Sequence, residues 1–451
     1  MPTALIVLAA GRGTRMNSDL PKVLHPLGGA PLMVHAIRAG AALEPDLTIV
    51  VTGHGSDAVG KAAQAYDPDI ALAHQTEQSG TAHAVAQARA ALDGFEGDAF
   101  VLYGDTPFIQ PETLSAMANA RADHAVVVLG FTAKDPGRYG RLVTDGDQLT
   151  RIVEFKDASD EECAITLCNS GVVVADAQTL FSLIDAVGND NASAEYYLTD
   201  IVEIARAKGM SAGFVTCPES ETQGINTRTE LATAEATLQF NKRTEALENG
   251  VTMTAPDTVF FAYDTYIGRD ALIEPNVVFG SGVTIESDAI IRAFSHLEGC
   301  HVSQKAIVGP YARLRPGAEL AEKVRVGNFV EVKNAELAEG AKVNHLSYIG
   351  DASIGKDTNV GAGTITCNYD GFFKHRTEIG ERAFIGSNTM LVAPVSVGDE
   401  AMTASGSVIT SNVEPQALAI ARAKQMTKPG LARKMFDMLK ATKERNQKGA
   451  K

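Results

Sequence analysis

The stretch Ile267–His296 reads IGRDAL-IEPNVV-FGSGVT-IESDAI-IRAFSH when it is divided into groups of six residues. A large apolar residue opens every group, and a small or β-branched residue stands four positions later. No α-helix or coiled coil has a period of six. A parallel β-helix does, because each group supplies one short strand and one turn, with the large residue pointing inward. We therefore predict a β-helix in preference to a run of ordinary short strands in a sandwich.

The period covers most of the second half of the chain, from about residue 267 to residue 413. It slips by one residue after Leu297 and is interrupted twice, after Val332 and after Val360. Insertions into a solenoid form loops on one face, often the binding face, so we expect both interruptions to be functional loops. The residues that open the groups are Ile267, Ile273, Phe279, Ile285, Ile291, Leu297, Val302, Val308, Leu314, Leu320, Val326, Val332, Ile354, Val360, Ile379, Ile385, Leu391, Val397, Thr403 and Ile409.

Two cations in this half, Arg315 and Lys333, are separated by three groups of six, which make one full turn of a three-sided β-helix. They are therefore expected to stack on successive coils and to form a site for an anion such as a sugar phosphate. The alternative is a pair of exposed charges on a solenoid face. His345 lies in the first interruption. A single histidine without an obvious partner in the sequence is more often structural than catalytic, so a structural role is the alternative here.

Bulk properties limit the classes of protein. The 451 residues are too many for one compact core, so two or three domains are expected. A net charge of −15 argues against broad binding to nucleic acid or to a membrane surface. The five cysteines include no CxxC pair, which favours a reducing compartment and a cytoplasmic location. No apolar run approaches transmembrane length, and the apolar start Ala4–Ala10 is read as a strand rather than a signal peptide.

The first half alternates apolar strands with helices. Ala4–Ala10 is apolar on both faces, as a buried parallel strand is, and helical patterns cover Pro31–Gly40, Thr81–Leu92 and Pro111–Ala120. This alternation predicts a doubly wound α/β domain, which binds ligands at the carboxyl ends of its strands. Further strands are predicted at Leu47–Val51, Ala99–Tyr103, Ala125–Leu129 and Gly171–Val174.

A glycine loop follows the first strand. It reads Gly11-Arg-Gly-Thr-Arg-Met16, and Lys22 comes soon after, behind a proline. Backbone amides of such a loop can surround a phosphate chain because no Cβ intrudes, and one arginine and one lysine can neutralise the charge. A lone Gly-x-Gly would more often be a tight turn.

Polar clusters follow two other strands. One contains Gln75, Gln78, Gly80 and Thr81, and the other is Tyr103-Gly104-Asp105. A carboxylate that follows a buried strand is a good Mg²⁺ ligand, although a helix cap or a loop aspartate is the alternative for Asp105.

A helix is predicted to connect the halves. Thr227–Glu230 is a capping-box pattern, and Asn249-Gly250 is a stop signal. The helix is either a rod between two domains or an ordinary domain-packing helix.

The motifs around Gly11, Lys22 and Asp105 resemble the sugar-nucleotide pyrophosphorylases. Together with the hexapeptide half, the whole chain resembles the bifunctional bacterial N-acetylglucosamine-1-phosphate uridyltransferase/glucosamine-1-phosphate acetyltransferase family. The resemblance implies a Rossmann-like uridyltransferase domain at 1–228, a helical linker at 229–250, a left-handed β-helix acetyltransferase domain at 251–424 and a basic tail at 425–451. It also implies homotrimers with sites between adjacent β-helices. Net charge and the lack of a transmembrane run predict that the chain neither binds nucleic acid nor inserts into membranes.

The resemblance implies roles in the first half. Arg15 and Lys22 would be catalytic, and Asp105 and Asn226 would hold Mg²⁺. Gly140, Glu154 and Asn169 would hold the N-acetylglucosamine. Glu154 could instead be the solvent-facing residue of a strand and Asn169 a turn residue, and Asn226 could be the start of a helix. The residues implied to bind UTP or the sugar nucleotide are Leu8, Gly11, Gly13, Lys22, Gln75, Gln78, Gly80, Thr81, Tyr103, Gly104, Asp105, Gly140, Glu154, Asn169 and Asn226.

In the second half the resemblance implies that His345 is the general base, since an imidazole titrates near ~6.5 and suits this step near neutrality. Ser405 stands where the family often has a smaller alanine. Residues implied to bind glucosamine-1-phosphate are Arg315, Lys333, Tyr348, Asn359 and Lys374. Residues implied to bind acetyl-CoA or to line its site are Ala362, Asn368, Tyr369, Ser387, Ser405 and Arg422.

The leading prediction is therefore an enzyme that acetylates glucosamine-1-phosphate from acetyl-CoA and then transfers uridylyl from UTP, with Mg²⁺. The first alternative is a single-activity pyrophosphorylase whose β-helix serves only assembly. The second is a non-catalytic regulatory scaffold.

Overall fold

A computed structural model describes residues 2–146 and 148–449. The chain divides into two compact units, Met1–Ala246 with Phe260–Thr265, and Leu247–Val259 with Tyr266–Lys451. Among the described residues, no helix is both long enough and apolar enough to cross a membrane.

The first unit is built on one sheet of mixed direction. Its central strand β1 is buried because Leu5 and Val7 pack into one apolar cluster while Ile6 and Leu8 pack into another. The strands are β1 Thr3–Ala9, β2 Pro26–Leu27, β3 Ala30–Pro31, β4 Leu47–Thr52, β5 Ala71–His74, β6 Asp98–Tyr103, β7 Val126–Thr132, β8 Arg141–Asp145, β9 Gln148–Val153, β10 Leu167–Asp176 and β11 Ala212–Cys217. The main sheet has the order β11-β7-β10-β6-β1-β4-β5, and β2 and β3 form a separate hairpin.

Helices flank this sheet close to their predicted positions. The predicted helix Thr81–Leu92 is an α-helix up to Ala86 and continues as a 3₁₀ helix, Gln87–Leu92. The α-helices of the unit are α1 Leu32–Ala41, α2 Ser56–Tyr66, α3 Thr81–Ala86, α4 Pro111–Ala120, α5 Asp160–Cys163, α6 Ala177–Ile184, α7 Ile201–Ala207 and α8 Arg228–Glu248.

Strand β10 departs from the parallel pattern. β10 runs antiparallel to both of its neighbours, β6 and β7, whereas β1 is parallel to β4 and β6. The start of β10 therefore lies at the edge where β6 and β7 end, and Asn169 is paired with Gly130 near the end of β7. A reversed strand thus brings its amino end to the ligand-binding edge of the sheet.

The predicted capping box is present at the start of α8. Thr227 accepts a hydrogen bond from the Glu230 amide, and the Glu230 carboxylate accepts one from the Thr227 amide at 2.9 Å. Ala234 and Leu238 on this helix are buried in a cluster with Leu27, Leu32, Phe108 and Ile225. The first half of α8 is thus a packing helix of the first unit, and the domain boundaries at 228 and 250 stay predictions.

The second unit is a parallel β-helix of very short strands. Its strands are β12 Thr252–Met253, β13 Tyr266–Ile267, β14 Leu272–Ile273, β15 Val278–Phe279, β16 Thr284–Ile285, β17 Ile290–Ile291, β18 His296–Leu297, β19 Cys300–Val302, β20 Ile307–Val308, β21 Arg313–Leu314, β22 Ala318–Leu320, β23 Arg325–Asn328, β24 Glu331–Leu337, β25 Lys342–His345, β26 Tyr348–Ile354, β27 Asn359–Val360, β28 Ile365–Cys367, β29 Thr377–Ile379, β30 Phe384–Ile385, β31 Met390–Val392, β32 Val395–Val397, β33 Met402–Thr403, β34 Val408–Ile409 and β35 Leu418–Ala419.

These strands stack in three rows along the β-helix. The first row is β12-β14-β17-β20-β23-β25-β27-β30-β33-β35. The second row contains β21, the third contains β22, and both β24 and β26 run from the second row into the third. Each of the residues that open a group is at most 9% exposed, so the period of six describes the core. The predicted fold class, an α/β nucleotidyltransferase-type domain followed by a hexapeptide β-helix, is confirmed.

The first predicted interruption is not an inserted loop, and this prediction was wrong. Leu337, Val343 and Ile349 continue the buried positions between Val332 and Ile354. The period slips because β24 and β26 each pass through a corner that is one residue short. Val332 and Leu337 flank this corner in β24, and Ile349 and Ile354 flank it in β26, so the two core residues of each strand are five positions apart. Leu314 pairs with Val332 at the regular spacing of three groups of six, whereas Val332 pairs with Ile349, one residue sooner.

The second interruption is an insertion, as predicted. Ile354 pairs with Ile379, so this coil is longer by seven residues than the regular coil from Leu314 to Val332. The additional residues form a loop closed by a bridge between Tyr369 and Lys374.

In the tail, Leu431, Met435 and Leu439 recur at the spacing of a helix, and the structure contains a helix there, α9 Leu431–Gly449. The side chains of Leu431, Met435 and Leu439, which carry the pattern, are exposed.

Candidate functional site

The glycine loop of the first unit is fitted tightly against the segment that carries Lys22. Gly13 has φ +59°, and a Cβ there would lie 2.4 Å from the Lys22 Cβ, so only glycine fits. A 3₁₀ turn, Thr14–Met16, follows, in which Arg15 is exposed and Met16 is buried as an anchor. The loop therefore presents two exposed cations, Arg12 and Arg15, beside a closely packed backbone.

Two polar side chains from distant parts of the chain meet at Lys22. Its ammonium donates a hydrogen bond to the Asp105 carboxylate and another, 3.0 Å long, to the Asn226 side-chain oxygen. The Ile225 amide donates to the Asp105 carbonyl at 3.0 Å and ties the two segments together. The backbone amide of Asn226 donates a hydrogen bond to the Glu230 carboxylate at 2.6 Å.

The same two oxygens are suited to a metal ion. Asp105 and Asn226 point at one cationic centre, and carboxylate and amide oxygens are ligand types that Mg²⁺ takes. Across residues 2–146 and 148–449 there is no cluster of three or more His, Cys, Asp or Glu side chains that could hold a metal. The residues therefore fit an ion that takes two protein oxygens and completes its shell with substrate phosphates and water.

A cavity of about 320 Å³ opens beside this group. Most of its lining was predicted: Leu8, Gly11, Lys22, Gln75, Gln78, Gly80, Thr81, Tyr103 and Asp105 line it, and Ala10, Val23, Ala84 and Glu195 complete it. Gly104 lies behind this wall and donates its amide to the Leu8 carbonyl at 2.9 Å.

The two glutamines of the cavity are held by protein groups. The Gln78 amide nitrogen donates to the Ala10 carbonyl at 2.6 Å. The Gln75 amide nitrogen donates to the Gly80 carbonyl at 3.3 Å and lies 3.1 Å from a ring nitrogen of His83. Gln78 therefore connects the glycine loop to the segment that follows β5.

The three residues implied to hold the sugar come together at the end of the sheet. The Asn169 amide donates to the Gly140 carbonyl at 2.9 Å, and a Cβ on Gly140 would lie 3.5 Å from the Glu154 carboxylate. Glu154 directly follows β9, and its carboxylate accepts a hydrogen bond from Thr199 at 3.2 Å. Burial raises the pKa of Glu154, and Thr199 opposes that shift.

Sequence reasoning missed Arg141, which lies beneath this group. The side chain is almost fully buried, at 2% exposure. It donates to the carbonyls of Tyr139, Gly137 (3.0 Å) and Cys163 (3.4 Å). This buried cation holds the loop before Gly140 in place. The only feature of the sequence that could have indicated this role is that Arg141 directly follows Gly140.

In the second unit, Ala362, Ser387 and Ser405, three of the residues implied to bind acetyl-CoA, form one column above His345. Gly363 donates to the His345 carbonyl, Asn388 to the Ala362 carbonyl and Gly406 to the Ser387 carbonyl, at 3.2, 2.7 and 2.8 Å. Successive coils therefore stack His345, Ala362, Ser387 and Ser405. On the next coil, Val408 donates to the carbonyl of Ala421, which immediately precedes Arg422.

The predicted stacking of the two cations is confirmed. Leu314 pairs with Val332, which places Arg315 and Lys333 at the same level on adjacent coils. Arg315 donates to Glu331 at 2.9 Å, whereas Lys333 forms no ion pair with the described residues. One cation is thus compensated and the other is available to an anion.

Tyr348 lies next to Arg315 and Lys333, whereas Asn359 lies in a different row of strands. Lys333 pairs with Gly350, and a Cβ on Gly350 would lie 2.4 Å from the Tyr348 hydroxyl oxygen, so the phenol covers this glycine. Asn359 lies in the first row and pairs with Lys342 of β25, the strand on the preceding coil that ends at His345. The implied glucosamine-1-phosphate residues therefore come from both sides of one corner.

The insertion loop is attached to the β-helix by Asp351, which sequence reasoning missed. The Asp351 carboxylate accepts from the Asn368 amide nitrogen and, at 2.6 Å, from Asn334, and it lies 3.9 Å from the Lys374 ammonium. The Lys374 ammonium in turn lies 5.5 Å from the centre of the Tyr369 ring. All three implied ligands from the loop are thus gathered around one carboxylate.

Comparison with known families agrees with both halves. Residues 5–154 match the MobA-like NTP transferase domain. Residues 264–299 match the bacterial transferase hexapeptide, and residues 376–411 match the hexapeptide repeat of succinyl-transferase.

Whole-length relatives combine the two halves in one chain. The chain is 65% identical over 450 residues to the bifunctional protein GlmU of Roseobacter denitrificans, with 100% of each chain covered. It is 64% identical over 447 residues to that of Jannaschia sp., covering 99% of this chain and 98% of the relative. It is 66% identical over 447 residues to that of Cereibacter sphaeroides strain ATCC 17023, with the same two coverages. The chain therefore belongs to the GlmU family of bifunctional transferases, in which a nucleotidyltransferase domain precedes a hexapeptide-repeat acyltransferase domain.

Proposed function

We propose that the chain acetylates glucosamine-1-phosphate from acetyl-CoA in its second unit and then transfers uridylyl from UTP to N-acetylglucosamine-1-phosphate in its first. The observation that carries the proposal is that each unit brings together several of its own implied site residues. The Lys22 group lies in the first unit, and the column above His345 lies in the second.

Uridylyl transfer needs positioning and positive charge rather than a protein nucleophile. A phosphate oxygen of the sugar phosphate attacks the α-phosphorus of UTP in line, the bond to the bridging oxygen breaks, and pyrophosphate leaves. Lys22 and Arg15 stabilise the negative charge that develops on the phosphate oxygens. Gly11 and Gly13 supply the backbone around the phosphates, and the cavity containing Gln75, Gln78, Gly80 and Thr81 takes the uracil.

Asp105 and Asn226 would hold Mg²⁺ in this reaction. When bound, the ion neutralises phosphate oxygens. Lys22 contacts both of these oxygens, so its ammonium lies beside the residues that would hold the ion. Gly140, Glu154 and Asn169 hold the sugar, and Tyr103 packs against Gly171 beside them.

Acetyl transfer uses His345 as the base. The amine nitrogen of glucosamine-1-phosphate attacks the carbonyl carbon of the thioester while the imidazole takes a proton from that nitrogen. The carbon–sulfur bond then breaks, and the CoA thiolate takes up a proton. Lys333 and Arg315 bind the phosphate, with Tyr348, Asn359 and Lys374 around the sugar. The column through Ala362, Ser387 and Ser405 carries acetyl-CoA, with Asn368 and Tyr369 at its side.

A homotrimer assembled through the β-helix completes the proposal. Phe294, Tyr311 and Phe329 stack on successive coils with ring centres 4.9 and 5.2 Å apart, and all three are about half exposed. Leu346, next to His345, continues this apolar ladder at 63% exposure. Exposed apolar surface of this kind favours contact with another chain beside the base. The five cysteines are unpaired, which suits the reducing cytoplasm.

The two alternative functions, a single-activity pyrophosphorylase and a non-catalytic scaffold, do not account for several features of the structure. A β-helix used only for assembly does not need Asp351 to gather Asn368 and Lys374 beside two stacked cations. A non-catalytic scaffold does not need a buried cation beneath the sugar loop or two polar side chains converging on Lys22.

A substrate-omission experiment on the intact protein tests the proposal. With glucosamine-1-phosphate and acetyl-CoA, but no UTP, we expect CoA release and no pyrophosphate. With N-acetylglucosamine-1-phosphate, UTP and Mg²⁺, we expect pyrophosphate and no CoA. Failure of either pair to react would contradict the corresponding half of the proposal.

A further inference from the structure

We propose that Asn328 is a positioning residue that fixes the orientation and the protonated nitrogen of His345. The inference rests on the proposed role of His345 as the base of acetyl transfer. The observation behind it is a contact of 2.7 Å between the His345 Nδ1 atom and the Asn328 Oδ1 atom.

The β-helix register brings the two side chains together. Asn328 is the last residue of β23 and His345 the last residue of β25, and the two are paired on adjacent coils. Each is followed by a corner residue in the left-handed region, Phe329 at φ +55° and Leu346 at φ +51°. The Leu346 amide also donates to the Asn328 carbonyl at 3.1 Å. Equal corners after equal strands point the two side chains in the same direction.

The backbone of His345 is held separately. The Ser347 hydroxyl donates to the His345 carbonyl at 2.8 Å. The imidazole itself is exposed, and among residues 2–146 and 148–449 its one hydrogen-bond partner is Asn328. The single contact at Nδ1 therefore determines how this ring is oriented.

The chemistry of the contact selects one tautomer. A side-chain amide oxygen can only accept, so the hydrogen bond requires a proton on Nδ1. The lone pair is then on Nε2, the nitrogen that faces away from Asn328, and Nε2 takes the proton from the amine. After that transfer the ring carries protons on both nitrogens, and the Asn328 oxygen still accepts from Nδ1 and stabilises the positive charge.

Two substitutions separate this role from simple packing. Asn328→Leu keeps the approximate volume and removes the acceptor. Asn328→Asp keeps an oxygen acceptor in the same place. If Asn328 acts as the acceptor, the leucine variant should lose about 10- to 100-fold in kcat for acetyl transfer, the effect typical when a group that orients a functional histidine is removed. The KM values for glucosamine-1-phosphate and acetyl-CoA should change by less than about 3-fold, and the aspartate variant should stay within about 5-fold of the parent kcat.

The experiment measures CoA release by the intact variants, with pyrophosphate release by the same preparations as the internal control. His345→Ala provides the reference, and the double variant Asn328→Leu/His345→Ala should lose no more than His345→Ala alone, because the two residues act as one unit. The inference is overturned if Asn328→Leu keeps its kcat within about 2-fold, if Asn328→Asp is as inactive as Asn328→Leu, or if the double variant loses activity additively.

The outcome for His345 is read separately. If His345→Ala retains CoA release, the proposed base is wrong, whatever Asn328 does. If His345→Ala is inactive and Asn328→Leu is not, the base stands and the positioning role fails. Thermal unfolding of each variant shows whether a loss of activity reflects a loss of the fold.

Discussion

The two units assemble a site in different ways. In the first unit, Lys22, Asp105 and Asn226 come from widely separated segments, and their meeting depends on sheet order and loop packing. In the second unit, His345, Ala362 and Ser387 are brought together by the repeat itself, since each lies one coil from the next. A site in the first unit is therefore held by specific side-chain contacts, whereas a site in the second is held by backbone register.

This difference predicts where substitutions act. In the first unit a single side chain can hold a loop in place, so its loss should disturb one substrate and not the other. In the second unit the register survives most substitutions, and the vulnerable places are the irregular ones, the shortened corner between Val332 and Leu337 and the insertion loop that Asp351 holds.

The largest effect is expected from Lys22→Met. This variant removes the cation on which Asp105 and Asn226 converge, and uridylyl transfer should fall by about 10²- to 10³-fold, as when one donor to a transition-state oxyanion is lost. CoA release should be unchanged. Lys61→Met, at an exposed position on α2, is the matched control and should leave both activities at the parent level. A folded Lys22→Met protein with full pyrophosphate release would contradict the role given to the lysine.

Asp351→Asn should weaken the insertion loop. It removes the charge that gathers Asn368 and Lys374, and a hydrogen bond to a charged group contributes about 1.5–3 kcal/mol, so kcat/KM for acetyl transfer should fall about 10- to 100-fold. Steady-state CoA release measures this. Asp357→Asn is a close control, because Asp351 and Asp357 both have positive φ, at +48° and +55°, where asparagine is tolerated. Equal effects of the two substitutions would show that the loop does not depend on Asp351.

Arg141→Met should act on one substrate of the first unit. The loop before Gly140 loses the cation bound to its carbonyls, so the KM for N-acetylglucosamine-1-phosphate should rise about 10-fold while that for UTP stays within about 2-fold. Arg141→Lys should recover part of the loss, because an ammonium can bind some of the same carbonyls. Initial-rate kinetics with each substrate varied separately decides the matter, and an equal rise in both KM values would point to general destabilisation instead.

The smallest effect concerns stability and pH. Burial, and repulsion by Glu203 and Glu154, raise the pKa of Asp200 from 3.8 to about 6. The folded state therefore binds this proton more tightly than the unfolded state, and the stability of the first unit falls as the pH rises from about 4 to 6. Asp200→Asn should stabilise the protein by about 1–2 kcal/mol near neutral pH, after a discount for partial exposure, and by almost nothing below about pH 4.

Thermal unfolding at several pH values measures this difference. Asp93→Asn, at an exposed carboxylate, should have no effect beyond about 0.5 kcal/mol at any pH. Stabilisation by Asp200→Asn that is independent of pH would show that the carboxylate is not the source of the cost.

The β-helix could be predicted in detail because a strict period carries its own register. The buried positions and the stacking of Arg315 on Lys333 follow from coils that each contain three groups of six. The pairing of Asn328 with His345 did not follow, because that coil is one residue short and the shortening is visible only as a phase slip. The slip was misread as an insertion, since a corner one residue short and an inserted loop both break a period of six.

The first unit was less predictable from the residues alone. Its strands and helices follow from apolar patterns, but the reversed direction of β10, which brings Asn169 to the site, has no signal in the spacing. Arg141 and Thr199 act through contacts that depend on the packed loops. A buried arginine and an exposed one have the same appearance in a sequence.

The most direct test of two independent sites is a time course with the intact protein in which CoA and pyrophosphate are quantified separately for the parent and for His345→Ala. Both proteins receive acetyl-CoA, glucosamine-1-phosphate, N-acetylglucosamine-1-phosphate, UTP and Mg²⁺. The structure predicts that His345→Ala releases pyrophosphate at the parent rate and no CoA. Loss of both products in a folded His345→Ala protein, or undiminished CoA release, would contradict the account.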